Sequence, residues 1–166
     1  SARDLRIVLD HFRGAVFLIA DGVYPSNLER GYVLRRILRR LVLKLKQNAV
    51  KLKEASIFIE TIIEKFGNIY PNIKNKEKIE KVFFEETEKF ERTLERGLKK
   101  FDKIIKNEDN SEVLGEKFFT LNATYGLPME ICEEIAKERN LNINESTSNT
   151  FKKFFEKHQK ISKQTK

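Results

Sequence analysis

The chain has 166 residues, with 33 Lys and Arg against 25 Asp and Glu and a single cysteine. This length suits one domain or two small packed units. No apolar run approaches the roughly 20 residues of a membrane span, the N-terminus has no signal-peptide pattern, and one cysteine with two histidines gives too few ligands for a usual structural zinc site. A lone thiol excludes an internal disulfide and fits a reducing compartment, so we expect a cytoplasmic or organellar protein without a membrane partner.

The positive charge is confined to the first third of the sequence. Residues 1–53 hold twelve Lys and Arg against four Asp and Glu, whereas the remaining residues hold 21 of each. A localised basic field attracts a polyanion, most often nucleic acid. The alternative is a solvated surface with uneven charge, and the arrangement of the basic residues distinguishes the two.

The first helix and the loop after it are predicted from apolar spacing and turn residues. Apolar side chains recur at intervals of three and four over residues 3–20, which predicts a helix. An Asp-Gly pair ends it, and a Pro-Ser-Asn stretch forms a loop. Either Ser26 or Asn27 is expected to cap the second helix, which runs to about Lys46.

The second helix carries a basic face. At about 100° per residue, the apolar residues fall on one side and the basic residues on the other. The pattern predicts an inward face of Leu34, Ile37, Leu38, Leu41 and Leu45, and a continuous outward face of Arg35, Arg36, Arg39, Arg40 and Lys46. We also expect at least one of the four arginines to be internal, paired with Asp10, Asp21 or Glu29.

The rest of the chain also shows helical periodicity. One long segment has a single apolar stripe, and an Asn-rich stretch at 140–144 predicts either a short strand or a loop. We expect further helices near 53–66, 76–106, 112–123, 128–139 and 145–163. The predicted fold is all-α, with six or seven helices and one long central helix. Residues 1–110 would form a unit around the basic helix, and residues 111–166 a smaller helical unit packed on it.

Motifs for covalent chemistry are absent from the sequence. There is no glycine-rich phosphate loop, no paired-histidine metal motif and no Gly-x-Ser-x-Gly elbow. Acidic clusters alternate with lysines at helical spacing, which favours surface ion pairs over acid–base catalysis. His11 is interpreted as a core histidine and Cys132 as a small buried residue. The chain is predicted to be a binding module with no cofactor of its own.

Three segments carry a family resemblance. They are "DHFRGAVFLIADGVYPSNLERGYVLRRILRRLV" from Asp10, "FFEETEKFERTLERGLKKFD" from Phe83 and "LNATYGLPMEICEEIAKERNL" from Leu121. In order and spacing they closely resemble the central helical tRNA-recognition region of alanyl-tRNA synthetase. The resemblance implies a parent enzyme of class II that joins alanine to its tRNA. ATP and Mg²⁺ would be used by a catalytic domain that precedes this region, and an editing domain with zinc would follow.

The resemblance also implies the partners of this chain. It would hold the acceptor stem of alanine tRNA for the catalytic domain, would adjoin the catalytic and editing domains, and would be non-catalytic alone. A-form RNA is held through phosphates, 2′-hydroxyls and minor-groove edges. Arginine suits phosphate because its planar group makes bidentate contacts. The expected RNA-binding residues are Asn27, Arg30, Arg35, Arg36, Arg39, Arg40, Asn122 and Ala123.

Individual positions correspond to family residues that recognise a G·U wobble pair. Asn27 matches a residue that contacts this pair, and Arg39 matches one implicated in acceptor-stem binding. The family has an Asp immediately before "TYG", but this chain has Ala123, whose methyl group cannot accept a hydrogen bond. Asn122 is adjacent, although one residue along a helix turns it about 100° away.

Three alternatives remain open at this point. A non-catalytic helical RNA-binding module with weakened G·U specificity is favoured by Ala123. A scaffold that docks protein partners through the long helix is disfavoured by the charge confined to residues 1–53. A DNA-binding helix-turn-helix is weaker still, because no dimerisation element follows the second helix.

Overall fold

The computed structural model describes residues 2–106 and 108–164, and this part of the chain is all-α, as predicted. It contains seven α-helices, two short 3₁₀ helices and no strand. The α-helices are α1 Ala2–Ala20, α2 Glu29–Gln47, α3 Ala55–Phe66, α4 Lys76–Ile105, α5 Ser111–Tyr125, α6 Met129–Glu138 and α7 Glu145–Gln164. The 3₁₀ helices are Leu52–Glu54 and Pro71–Lys74. Within the described residues, no helix combines the length and apolarity needed to cross a membrane.

The chain forms two compact units, Ser1–Arg92 and Thr93–Lys166, so the boundary falls inside α4. The second half of α4 packs with later helices, since the rings of Phe101 and Phe118 lie 6.2 Å apart. A continuous helix gives no local signal where its packing partners change. The boundary between the two compact units therefore lies N-terminal to the division expected after residue 110. The assignment of residues 1–110 to RNA binding stays a prediction.

The core of the first unit is built on α1. The Phe12 ring is fully buried and stacks on Phe58 at 4.7 Å and on Phe83 at 5.6 Å, between ring centroids. These rings belong to α1, α3 and α4, so aromatic contacts connect three helices. The predicted inward face of α2 is confirmed: Leu34, Leu38, Leu41 and Leu45 are buried, and Ile37 is half-buried.

The C-terminal half of α2 is buried on more sides than its amphipathic pattern predicts. Val42, Leu43 and Lys44 are all buried beside the leucines. The ammonium of Lys44 lies 3.2 Å from a carboxylate oxygen of Asp4 in α1. A buried ammonium without a partner is costly, so this ion pair is what permits a lysine in the interface between α1 and α2.

The second unit centres on the packing of α5 against α7. Phe119 of α5 contacts three rings of α7, those of Phe151, Phe154 and His158, with centroids 5.7–6.3 Å apart. Gly115 permits this approach, because a Cβ there would lie 2.5 Å from the carbonyl oxygen of Thr147.

Both ends of α5 and the start of α7 are fixed by capping contacts. The Asn110 side chain accepts hydrogen bonds from two backbone amides in the first turn of α5, and Gly126 ends that helix in the left-handed conformation at φ 73°. The Asn-rich stretch at 140–144 is a loop, and no strand forms there. Asn144 accepts from the Ser146 amide at 2.9 Å, at the start of α7.

Candidate functional site

The loop between α1 and α2 is held by hydrogen bonds made within itself and to the start of α2. The Ser26 amide donates to the Gly31 carbonyl at 3.1 Å. The Ser26 hydroxyl donates to the Leu28 carbonyl and accepts from the Leu28 amide. The residue that caps α2 is Leu28, without a side-chain hydrogen bond. The expectation that Ser26 or Asn27 caps α2 was therefore wrong, because both side chains are used to shape the loop.

Gly31 is required for the close approach of this loop to α2. A Cβ at position 31 would lie 2.2 Å from the Ser26 hydroxyl oxygen and 2.5 Å from the Tyr24 carbonyl oxygen. Both distances are well inside van der Waals contact, so only glycine fits the observed backbone. Glu29, at the start of α2, has a φ of 48°, a left-handed conformation that costs roughly 1–2 kcal/mol for a residue with a Cβ. The contacts of the loop with α2 compensate this strain.

Asn27 is exposed, but the oxygen of its carboxamide is held by the guanidinium group of Arg35. Arg35 Nη1 donates to Asn27 Oδ1 at 2.5 Å, and Nη2 donates to the Pro25 carbonyl at 3.3 Å. A guanidinium has only donors, so the atom of Asn27 that faces it must be the oxygen. The orientation of the carboxamide is thereby fixed, with its amino group directed away from Arg35.

Glu86 of α4 links two arginines of α2. One of its carboxylate oxygens lies 3.1 Å from Arg35 Nε and 3.2 Å from Arg39 Nε. The contact with Arg39 is a hydrogen bond, whereas Arg35 Nε is buried and makes none. The guanidinium of Arg39 also lies over the Phe90 ring, 5.2 Å from its centroid. With 13% of its side chain exposed, Glu86 is a nearly buried acid between two cations.

These contacts correct the predicted basic face of α2. Arg35 and Arg39 are only 21% and 30% exposed, because they lie on the flank of α2 that α4 covers. The expectation of a continuous outward face was wrong for both. An internal pairing of at least one arginine was expected, and for Arg35 and Arg39 the carboxylate comes from Glu86, which was not among the expected partners.

Three other basic residues of α2 are more accessible than Arg35 and Arg39. Arg30, Arg36 and Lys46 are exposed, and Arg40 is half-buried. The Arg36 guanidinium lies over the Tyr32 ring at 5.9 Å from its centroid, so its stem is supported while its donors face solvent. Arg30 and Arg36 are the arginines of this helix best placed to meet an external anion.

The other two expected site residues belong to the second unit. Asn122 is half-buried, and its amide nitrogen donates to the Leu127 carbonyl at 3.2 Å, which stabilises the turn after α5. Ala123 is exposed at the end of α5. The Asn122 side chain thus stabilises a turn within its own unit. At position 123 the surface carries only a methyl group, which cannot accept a hydrogen bond.

Groups that could bind a metal or perform thiol chemistry are scarce among the described residues. Among the described residues, no three of His, Cys, Asp and Glu are grouped so as to hold a metal ion. Cys132 is fully buried, as expected, and burial raises the pKa of its thiol. His11 is half-buried in α1.

Sequence reasoning missed two residues that organise this site. Gly31 had a usable signal, since a glycine within the first turn of a helix and next to a loop often marks a close backbone approach. Glu86 had none, because it lies 47 residues from Arg39 along the chain and acidic residues are frequent throughout α4.

Comparison with known proteins gives concordant matches. The family model described as tRNA synthetases class II (A) matches residues 1–166. The alanine–tRNA ligase of Hydrogenovibrio crunogenus is 38% identical over 86% of this chain. That of Thermotoga maritima is 38% identical over 96%, and that of Borreliella afzelii 39% identical over 97%. The matches cover only 17%, 18% and 27% of these relatives, so the chain spans about a quarter of their length or less.

Proposed function

We propose, since the chain belongs to the family of class II tRNA synthetases (A), that it is the helical part of an alanine–tRNA ligase that holds the acceptor stem of alanine tRNA. In this proposal the chain does not catalyse the reaction. A catalytic domain elsewhere in the parent protein uses ATP and Mg²⁺, and an editing domain follows. The parent protein would act in the cytoplasm or in an organelle.

The observation that carries the proposal is the loop preceding α2, which presents an oriented carboxamide at Asn27 and leads into exposed arginines. A duplex RNA stem offers phosphates that need cations and a minor groove that needs hydrogen-bonding groups. Arg30 and Arg36 supply exposed cations. Asn27 supplies a carboxamide whose oxygen keeps a second lone pair free of Arg35. Phosphate contacts position the RNA, and the carboxamide reads a base edge.

The basic excess supports the same assignment. All of the +8 formal charge lies in residues 1–53, which belong to the first unit. Glu86 neutralises part of the charge of Arg35 and Arg39. The cations that act on an RNA are then Arg30 and Arg36, with Arg39 and Arg40 as half-buried neighbours in the same helix.

A related second function is favoured by Ala123. Its exposed methyl group stands where the family has an aspartate, and Asn122 is hydrogen-bonded within its own unit. The chain would then be an RNA-binding module that holds an acceptor stem with weakened preference for the G·U pair. Both functions share the basic surface and differ in discrimination.

Binding of the chain to two acceptor-stem hairpins tests the proposal, one with a G·U pair and one with G·C, over a salt series. We expect binding that weakens with salt, by about one unit of log–log slope for each phosphate contact. A preference for G·U supports recognition through Asn27, and equal binding supports the weakened module. No binding to either hairpin at low salt would overturn both.

Charge-matched variants then test the surface. Arg30→Gln with Arg36→Gln should weaken binding and lower the salt slope by about two units. The control is Arg92→Gln with Arg96→Gln, which removes the same charge from exposed arginines of α4. Equal losses for the two pairs would show that general charge, and not the α2 surface, binds the RNA.

A further inference from the structure

We propose that Arg35 is a positioning residue that orients the Asn27 carboxamide for base recognition, and that it does not contact the RNA backbone. This inference rests on the proposed function for its consequence in RNA recognition. Its structural part, the control of Asn27 by Arg35, is testable without RNA.

Each of the three guanidinium nitrogens of Arg35 already faces an oxygen of the protein. One terminal nitrogen donates to Asn27, the other donates to the Pro25 carbonyl, and Nε faces Glu86 at 3.1 Å. The guanidinium is planar and its donors form a rigid fork, so it cannot turn toward a phosphate while keeping these contacts. Its side chain is also only 21% exposed. If the guanidinium turned toward a phosphate, it would lose an ion pair and two hydrogen bonds.

The two hydrogen bonds of Arg35 act on the same loop. Pro25 and Asn27 lie on either side of Ser26, so Arg35 fixes both the backbone of the loop and the side chain that the loop presents. An exposed Asn would otherwise sample several rotamers and both orientations of its amide. Ordering it before RNA arrives reduces the entropic cost of binding.

Glu86 places Arg35 in turn. Its carboxylate lies between the guanidinium groups of Arg35 and Arg39, which are one helical turn apart on α2. Loss of Arg35 leaves Glu86 paired with Arg39, so a variant at position 35 is expected to keep the fold. The geometry therefore separates a positioning role from a purely structural one.

The first test follows the side-chain amide of Asn27 by NMR in the unbound chain. The wild type should show a restricted side chain, with a high heteronuclear NOE. Arg35→Gln should release it and lower this NOE, whereas Arg36→Gln, a change to the neighbouring exposed arginine, should not. Arg35→Lys should restore the order only in part, because one ammonium cannot make three contacts in a plane. An Asn27 side chain that stays equally ordered in Arg35→Gln would overturn the inference.

The second test measures binding to the same two hairpins. Arg35→Gln should weaken binding of the G·U hairpin by about two- to tenfold, as expected for one lost hydrogen bond, with an unchanged salt slope. Asn27→Ala should cause a similar loss, and the double variant should lose no more than either alone. Arg36→Gln should instead lower the slope by about one unit.

The outcomes separate this inference from the proposed function. Additive losses with a lower slope for Arg35→Gln would show that Arg35 contacts phosphate, which overturns the positioning role. If the wild type binds neither hairpin, the proposed function fails, and the NMR result still decides whether Arg35 orients Asn27.

Discussion

The close contact between Gly31 and the loop before α2 predicts opposite effects for two glycine-to-alanine substitutions. Replacing a helical glycine by alanine normally stabilises a protein by roughly 0.5–1 kcal/mol, through the lower entropy of the unfolded chain. At Gly14, in the middle of α1, the nearest heavy atom to an added Cβ is Ile37 Cδ1 at 4.0 Å, an ordinary contact. Gly14→Ala should therefore be stabilising by about this amount.

At Gly31 the steric term dominates. The added Cβ would meet the Ser26 hydroxyl at 2.2 Å and the Tyr24 carbonyl at 2.5 Å. The loop would have to lift from α2, which breaks the bond between the Ser26 amide and the Gly31 carbonyl. Overpacking of this kind costs about 1–3 kcal/mol. The helix-propensity gain is small because Gly31 lies in the first turn, so a net loss of about 1–2 kcal/mol is expected.

Thermal and urea unfolding of the two variants and the wild type measure this difference. For a chain of this size, about 1 kcal/mol corresponds to roughly 2–4 °C in Tm. Gly14→Ala should raise the Tm by up to about 4 °C, and Gly31→Ala should lower it by roughly 2–8 °C. If both substitutions raise the Tm equally, the loop does not pack on Gly31 as described, and the reasoning is refuted.

Three further predictions concern the second unit. Ala123→Asp changes an exposed residue, so stability should stay within about 0.5 kcal/mol and binding should shift toward the G·U hairpin; an unchanged G·U to G·C ratio would mean that this surface does not face the pair. Cys132 is fully buried and burial raises the pKa of its thiol, so DTNB should label it only after unfolding. Because the unfolded chain loses the thiol proton first, stability should also decline as pH rises above the ordinary thiol pKa; rapid labelling of the native chain would contradict both statements. The Lys117 hydrogen bond lowers the pKa of Glu108 below its ordinary 4.5, so this pair stabilises the fold above that pH, and the contribution is lost as pH falls through the lowered value. Lys117→Met should reduce the acid sensitivity of unfolding as the pH falls below the ordinary Glu108 pKa of 4.5, and an identical pH profile would show that the pair contributes nothing.

The residues proposed to bind RNA differ in what the structure adds to them. The role of Asn27 that its motif implies stays a proposal. The hydrogen bond from Arg35 shows how the Asn27 side chain is oriented. For Arg39, a contact with an acceptor stem would have to compete with Glu86 and Phe90. We therefore propose Arg30 and Arg36 as the exposed residues that would contact phosphate.

Local sequence determined the helices of this protein. Apolar residues at intervals of three and four identify the helical segments and their buried faces, because the period of a helix is a local property. The stripe of α4 is one example, with Ile79, Phe83, Phe90, Leu94, Phe101 and Ile105 all buried. Turn residues also located the loop around Asn27, and a localised charge pointed to the first third of the chain.

Tertiary structure alone decided which arginines face solvent. A helical wheel separates apolar from polar residues, but it cannot show which polar flank a neighbouring helix will cover. Arg35 and Arg39 lie on the covered flank only because α4 brings Glu86, 47 residues from Arg39 along the chain, within 3.2 Å of both. Such a pairing depends on how helices pack, which is a property of the whole core.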